Sequence, residues 1–328
     1  MKCIVLYKEN RLMTKERGDM LTQNQFNKMS TWMKSNACPL DLAKWNFIFH
    51  NGSKEKIVDE FLKYQNSDGG FGNRLEPDIL LPDSNAITSA EALFTAYEYD
   101  LDLSDIWFKN LLNYFENSVK NMSIFWEAVP VEIENYPHPF WWSYESNAQF
   151  TPNPSAIIAS ALILHGTPSQ KELGFKVAEK SVDYLLADEE CDEFTNFCLI
   201  ALINKLRTID SPLLTDNITN AMKHKISERV SYDERDWATY KPQPLGYVYS
   251  PESEWYDCIK DGIDNNFKYW WAKLETDGAW KPDFTWGIDS EESRRATKDW
   301  AGKVTAGRAK ILKNFNMIEK QNKDENRK

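Results

Sequence analysis

Two stretches far apart in the chain repeat one pattern. FLKYQNSDGGF, from Phe61, and YWWAKLETDGAW, from Tyr269, each run from aromatic residues through a helical segment into Asp-Gly-x-aromatic. A recurring helical hairpin with a glycine turn is the mark of folds whose units cannot bury their apolar faces alone and must stack on neighbours. Helical periodicity dominates elsewhere too, and no run of alternating β-branched residues reads as a strand. At 328 residues the chain is slightly longer than one ordinary core usually supports. Length and repeat together favour a single all-α architecture, an (α/α)6 toroid of helical hairpins, over two domains.

Six helix pairs are expected: 23–36 with 39–50, 54–66 with 84–98, 104–120 with 154–165, 169–187 with 192–206, 212–230 with 252–261, and 263–274 with 302–315. Ser53 and Ser104 read as N-caps, and Asn51-Gly52 as the end of the first pair. The toroid is expected over 21–316. Residues 1–20 read as a dispensable extension, because Met13 and Met20 serve equally as starts. The apolar run 3–7 is too short for a secretory signal or a membrane span. Residues 317–328 read as a charged tail that frays into solvent, with no lipidation motif.

Composition narrows the partners. A net charge of -11 leaves no broad basic field to neutralise phosphates or hold anionic lipid, so nucleic acid and membrane partners are not expected. The five cysteines form no C-x-x-C pair and are odd in number, which argues against a disulfide scaffold or zinc finger and for a reducing cytoplasm. Cys191 and Cys198 are seven apart and read as inert thiols sharing a helix face. No phosphate-binding loop, dinucleotide fingerprint, H-E-x-x-H or G-x-S-x-G is present, so no cofactor and no metal are expected.

KIVDEFLKYQNSDGGF resembles the QW motif of terpenoid cyclases and of protein prenyltransferase β-subunits, with Gln65, Gly69, Gly70 and Phe71 in the motif's places. In the second copy Glu275 takes the place of Gln, while Gly278 and Trp280 match. A nearer likeness is to a group of bacterial toroid proteins without an assigned activity, carried by LEPDILLPDS at 75–84, YPHPFWW at 136–142, NPSA at 153–156 and KPDFTWG at 281–287. These resemblances imply an (α/α)6 toroid with inner helices lining a central cavity. They leave the reaction open. The cyclases' Asp-x-Asp-Asp is missing, and the prenyltransferase zinc set has no counterpart, since Asp188 and Cys191 are three apart and only His50, His138, His165 and His224 exist.

If 54–66 is an outer helix and 84–98 an inner one, the segment between them crosses the rim and brings Glu76, Asp78 and Asp83 to the cavity mouth. Pro77 and Pro82 hold that segment, and sites form on loops held by a scaffold. These acids are candidate catalytic groups; alternatively Asp83 or Ser84 caps the inner helix and Glu76 pairs with Arg74 or another base. His138, between two prolines, is either a proton donor and acceptor or a structural histidine bonded to a carbonyl. Phe71, Trp126, Phe140, Trp141, Trp142 and Trp286 are candidate ligand-binding aromatics, which either stabilise a cation with their faces or pack as a gasket. Asp283 either faces the cavity or pairs with Arg294 or Arg295.

Three readings of function follow: a cavity that binds or converts an apolar isoprenoid-type small molecule, a carbohydrate-active hydrolase or lyase using two rim acids, and a non-catalytic toroid that binds a peptide or partner. Enzyme activity and oligomeric state stay open.

Overall fold

A computed structural model describes residues 20–120, 124–187, 192–239 and 241–319. Residues 1–19, the segment holding Asp188 and Cys191, and the tail from 320 lie outside the described residues. Among the described residues there are 13 α-helices, a few 3-10 turns and no β-strand, so the chain is all-α. The helices are α1 (Gln23–Asn36), α2 (Pro39–Phe49), α3 (Lys54–Phe61), α4 (Ala86–Glu98), α5 (Ile106–Ser118), α6 (Pro152–His165) and α7 (Pro168–Leu186). They continue with α8 (Glu193–Thr208), α9 (Asp216–Arg229), α10 (Glu234–Trp237), α11 (Pro244–Tyr247), α12 (Tyr256–Lys273) and α13 (Glu291–Asn314).

Helix starts follow the side chains that can satisfy free N–H groups. Ser53 accepts from the Lys56 amide at α3, and Thr22 and Thr167 form capping boxes at α1 and α7. Two caps differ from expectation. At α4 the cap is Asn85, not Asp83 or Ser84, and at α5 it is Asp105, with Ser104 instead bonded to Asp102. In each case the residue one step nearer the helix has a side-chain oxygen placed to receive an amide.

The largest departure lies between 252 and 274. Two helices were expected there, split near Gly262, but α12 runs through unbroken. Gly262 is a buried helix residue at which an added Cβ would come within 2.5 Å of the Tyr232 ring. It admits a neighbour rather than ending the helix. No separate helix spans 252–261; the short α10 and α11 precede α12, and α13 begins at Glu291 under a Ser290 cap, well before residue 302.

Packing links the helices in sequence: α2 lies on α3, α4 on α6, α6 on α7 and α8, both of these on α9, and α9 on α12. The helix α13 returns to pack on α1 and α2. A parallel bridge between Leu21 and Ile318 joins the two ends, and Met317 is buried, so the packed body includes residues 317–319 that were expected in the tail. The most buried helix is α6, apolar on every side, which is the pattern of a helix enclosed by others.

Both glycine turns have one geometry. The Asn66 amide donates to the Gly70 carbonyl and the Gly69 amide to the Asn66 carbonyl; the Glu275 amide donates to Ala279 and the Gly278 amide to Glu275 in the same way. Asp68 and Asp277 accept from the next-but-one amide in each turn. The Phe71 amide donates to Ser89 on α4 and the Trp280 amide to Thr305 on α13, both at 2.9 Å. Glu275 therefore stands opposite Asn66, and Leu274, not Glu275, holds the place of Gln65. Gln65 itself donates to the Gly69 and Trp107 carbonyls, a stitch the second turn lacks.

Each turn docks on another helix through a glycine with positive φ. Gly69 (φ 91°) presses against the backbone of Asn110 in α5, and Gly278 (φ 99°) against the backbone of Met29 in α1. A Cβ at 278 would lie 2.6 Å from the Met29 nitrogen. Gly278→Ala is therefore expected to lower the unfolding free energy by more than about 1 kcal/mol, since backbone strain adds to the clash. An unchanged urea midpoint would mean that this turn does not hold the chain's end to its beginning.

Candidate functional site

The helices α2 and α4 are largely apolar, PLDLAKWNFIF and AITSAEALFTAYE, yet each carries charge on its buried side. Asp41 and Lys44, one turn apart, share a face of α2. Together with Glu91 of α4 and Lys303 of α13 they line a pocket of about 160 Å³, closed by Tyr64 and the segment from Asn73 to Pro77. Half of the fourteen lining residues are charged: Asp41, Glu91 and Asp299 against Lys44, Arg74, Arg295 and Lys303.

Lys303 is the hub. Its ammonium lies 2.9 Å from Glu91 Oε1 and 3.3 Å from Glu76 Oε2, and 4.6 Å from the centre of the Trp300 ring. Burial lowers the Lys303 pKa, but the carboxylates of Glu76 and Glu91 outweigh it and hold that pKa above its ordinary value. Glu76 shows the opposite balance. Burial, with help from Glu91 and Asp78, outweighs Lys303 and pushes its pKa up to about 7. Arg74 and Asp299 pair at 2.9 Å across the pocket edge.

Asp41 is the second perturbed acid. Its carboxyl is raised by burial against the pull of Lys44, at 3.9 Å, and it accepts a hydrogen bond from the Cys38 thiol at 3.2 Å. Lys44 in turn donates to Thr95 at 3.3 Å. Burial, aided by Asp41, pushes the Cys38 thiol up to about 12, which favours the neutral thiol over the thiolate.

The structure divides the residues expected at the site. Glu76 and Asp78 are both buried but neither lines the pocket; Glu76 is linked to it by its pair with Lys303. Trp286 donates to Asp78 at 2.7 Å, which brings the 75–84 and 281–287 stretches together. Burial also raises Asp78, with the Trp286 bond opposing it. Beneath this junction Ile79, Leu81, Ile87, Val129 and Ile133 form a small core against which Tyr136 and Trp142 pack, so the 136–142 stretch meets the same end of the molecule.

Other expected residues serve elsewhere. Asp83 is exposed and lines no part of the pocket. The ring nitrogen Nδ1 of His138 sits 2.7 Å from the Tyr136 carbonyl and Nε2 3.8 Å from Glu134, both in its own loop, which is the structural alternative. Trp126 is core: it packs on Phe115 and donates to the Phe115 carbonyl. Phe71 is sealed between Phe61 and Trp107. Asp283 pairs with Arg308 at 2.8 Å, not with Arg294, which pairs with Asp289, nor with Arg295. Phe140 is 81% exposed, Trp141 packs edge-on against Phe284, and Phe284 against Trp300.

Sequence reasoning missed Asp41, Lys44, Glu91 and Lys303. A signal existed for three of them, because a lone Glu in the body of α4 and an Asp–Lys pair in an apolar α2 are charges where burial is expected. Lys303 had none, since α13 is charged along most of its length.

The raised Glu76 pKa has a testable sign. Between its ordinary value of 4.5 and about 7 the folded state holds a proton that the unfolded state has released. Stability from this group is thus fully present below the lower value and declines as pH rises through the window. Glu76→Gln is expected to flatten that decline in unfolding free energies measured from pH 4 to 8; a variant whose slope matches the parent's would remove Glu76 as its source.

Among the described residues, no group of three or more His, Cys, Asp and Glu side chains is placed to hold a metal ion, and no helix is long and apolar enough to cross a membrane. Comparison of the chain with protein-family models, curated proteins and solved structures returned no match.

Proposed function

We propose that the chain is an (α/α)6 toroid whose pocket between α2, α4 and α13 binds a small hydroxylated, sugar-like molecule and exchanges a proton with it. The order of helix contacts, the return of α13 to α1 and α2, and the docking of both glycine turns on outer helices support the toroid. In this reading α2, α4, α6, α8 and α13 form the inner ring, with α10 and α11 standing in for a sixth inner helix.

The observation that carries the ligand class is the lining, three carboxylates and four cations around about 160 Å³. A hydroxyl donates to Asp41, Glu91 or Asp299 and accepts from Lys44, Arg74, Arg295 or Lys303, so each side of a sugar ring finds a partner. An isoprenoid chain offers neither function. It would strip water from these charges without replacing it, at several kcal/mol. Asp41, biased by burial toward its protonated form, is the acid; Glu91, held beside Lys303, is the acceptor.

Saturation-transfer NMR with a panel of neutral monosaccharides, farnesol and farnesyl diphosphate tests this reading. Sugar signals that Asp41→Asn and Glu91→Gln weaken are expected. Retention of the isoprenoids with no sugar bound would overturn it in favour of an apolar ligand.

A further inference from the structure

A carboxyl with no partner stands at the start of α8. Glu193 makes no hydrogen bond and no ion pair among the described residues, although protein encloses it. Burial, with help from Asp192, pushes its pKa up to about 7. Gly246, on the short α11, meets it so closely that a Cβ there would lie 2.6 Å from Oε1 and 3.8 Å from the Phe197 ring. Any other residue at 246 would fill the space against this acid and this ring.

Tyr249, two residues beyond α11, lies near the same acid. Its phenol is deep within the protein while the residue is 58% exposed, so the ring stands on the wall of a recess that water reaches. Burial and the carboxylates of Glu98, Glu193 and Glu91 hold the phenol well above its ordinary pKa, and among the described residues no cation opposes them. Glu91 and Glu98, two turns apart on α4, are each answered by a lysine of α13, Lys303 and Lys310, both at 2.9 Å. Of the three acids, Glu193 is the one left without a counter-ion. We propose that this recess binds a small organic ammonium ion, with Glu193 as its counter-ion and the rings of Phe197 and Tyr249 against its sides. This site is independent of the ligand class proposed for the pocket beside Lys303.

The sign of the occupant follows from the charges. A lone carboxylate in a recess poor in cations attracts positive charge more strongly than it would in open water, because little solvent screens it. An anion is repelled by the three acids, and a neutral alcohol forgoes the charge pair. The rings select an organic cation, since an aromatic face stabilises an alkylammonium through its quadrupole while the methylenes pack on it. A metal ion is served less well: among the described residues, no three His, Cys, Asp or Glu side chains converge to ligate one. The titratable groups facing Glu193 are Asp192 at its own helix start and Tyr249 from the segment after α11, with Glu91 and Glu98 of α4 acting on the same phenol. Binding requires Glu193 to be ionised, so it tightens as pH rises through about 7.

NMR titration of the full chain with butylammonium at pH 5.5 and pH 8.5 tests the site, with 1-butanol and butyrate as neutral and anionic matches. The amine stays charged at both values, since an ordinary alkylamine titrates near about 10. Butylammonium is expected to bind at least tenfold more tightly than either match at pH 8.5, and to lose roughly tenfold or more of that affinity at pH 5.5. Glu193→Gln is expected to remove both the binding and its pH dependence. That carboxyl has no partner to lose, so the variant's urea midpoint at pH 8.5 is expected to equal or exceed the parent's. Tyr249→Ala, at a residue already in contact with water, is expected to weaken binding by about twofold to thirtyfold, the range of one cation–π contact. Butanol or butyrate binding as tightly as the amine, amine binding that Glu193→Gln leaves unchanged, or no amine binding at either pH would each overturn the site. None of these results touches the reading of the pocket beside Lys303.

Discussion

Lys303→Met is expected to destabilise the protein by about 3 kcal/mol, because it leaves two carboxylates facing each other without their shared cation. Glu76 is buried and Glu91 largely so, and both oxygens sit within hydrogen-bonding reach of the one ammonium. Methionine fills the aliphatic stem's space, so the loss reports charge rather than volume. The variant's penalty is expected to shrink toward pH 5, where Glu76 takes up a proton, and to grow as pH rises past about 7. Adding Glu76→Gln and Glu91→Gln to the same chain restores most of the loss. Urea denaturation at pH 5 and pH 8 checks all of this, and an equal penalty at both values would mean that the carboxylates are not the cause.

Trp280→Ala is expected to cost about 3–5 kcal/mol, the usual range for removing a large buried aromatic. Trp280 is fully buried and packs against Trp270 and Trp271. Its indole donates to the Trp270 carbonyl at 2.7 Å, so truncation also removes that hydrogen bond. Trp280→Phe keeps much of the volume and loses the donor, and a penalty near half that of alanine is expected. A change below about 1 kcal/mol for alanine would show that the second turn does not anchor α12 to α13. The same truncation at Phe71 tests the first turn, where the ring packs on Phe61 and Trp107 but makes no side-chain hydrogen bond.

How much could be read before the structure depends on how local the cause is. Helix positions from α1 to α9 follow apolar periodicity and caps, both set within a few residues. Periodicity failed at Gly262, where a glycine that resembles a stop is there because Tyr232 and Pro244 press against the helix. The register of the second glycine turn was misread by one residue for a related reason. Composition suggested that Glu275 replaces Gln65, but the amide pairings, a property of three-dimensional closure, place Leu274 there.

The site divides along the same line. Glu76, Asp78 and Trp286 stand out in sequence because charge and indole lie beside prolines and glycine in long connecting segments. Their meeting at a 2.7 Å bond was not visible, since nothing in either stretch names the other. His138 and Trp126 stood out equally and proved local or internal, because a histidine beside prolines and a tryptophan near a loop have the same sequence appearance whether they face a ligand or a carbonyl.

By itself, then, the sequence determined an all-helical chain with capped helices, two equivalent glycine turns and a proline-held connecting segment carrying acids. Only the tertiary structure decided that Lys303, on a helix charged along its length, joins Glu76 to Glu91, and that Asp41 and Lys44 complete the pocket. The reason is physical. Helix formation and capping depend on neighbours along the chain, whereas the ionisation of a carboxyl depends on what burial removes and which cation arrives from elsewhere in the chain.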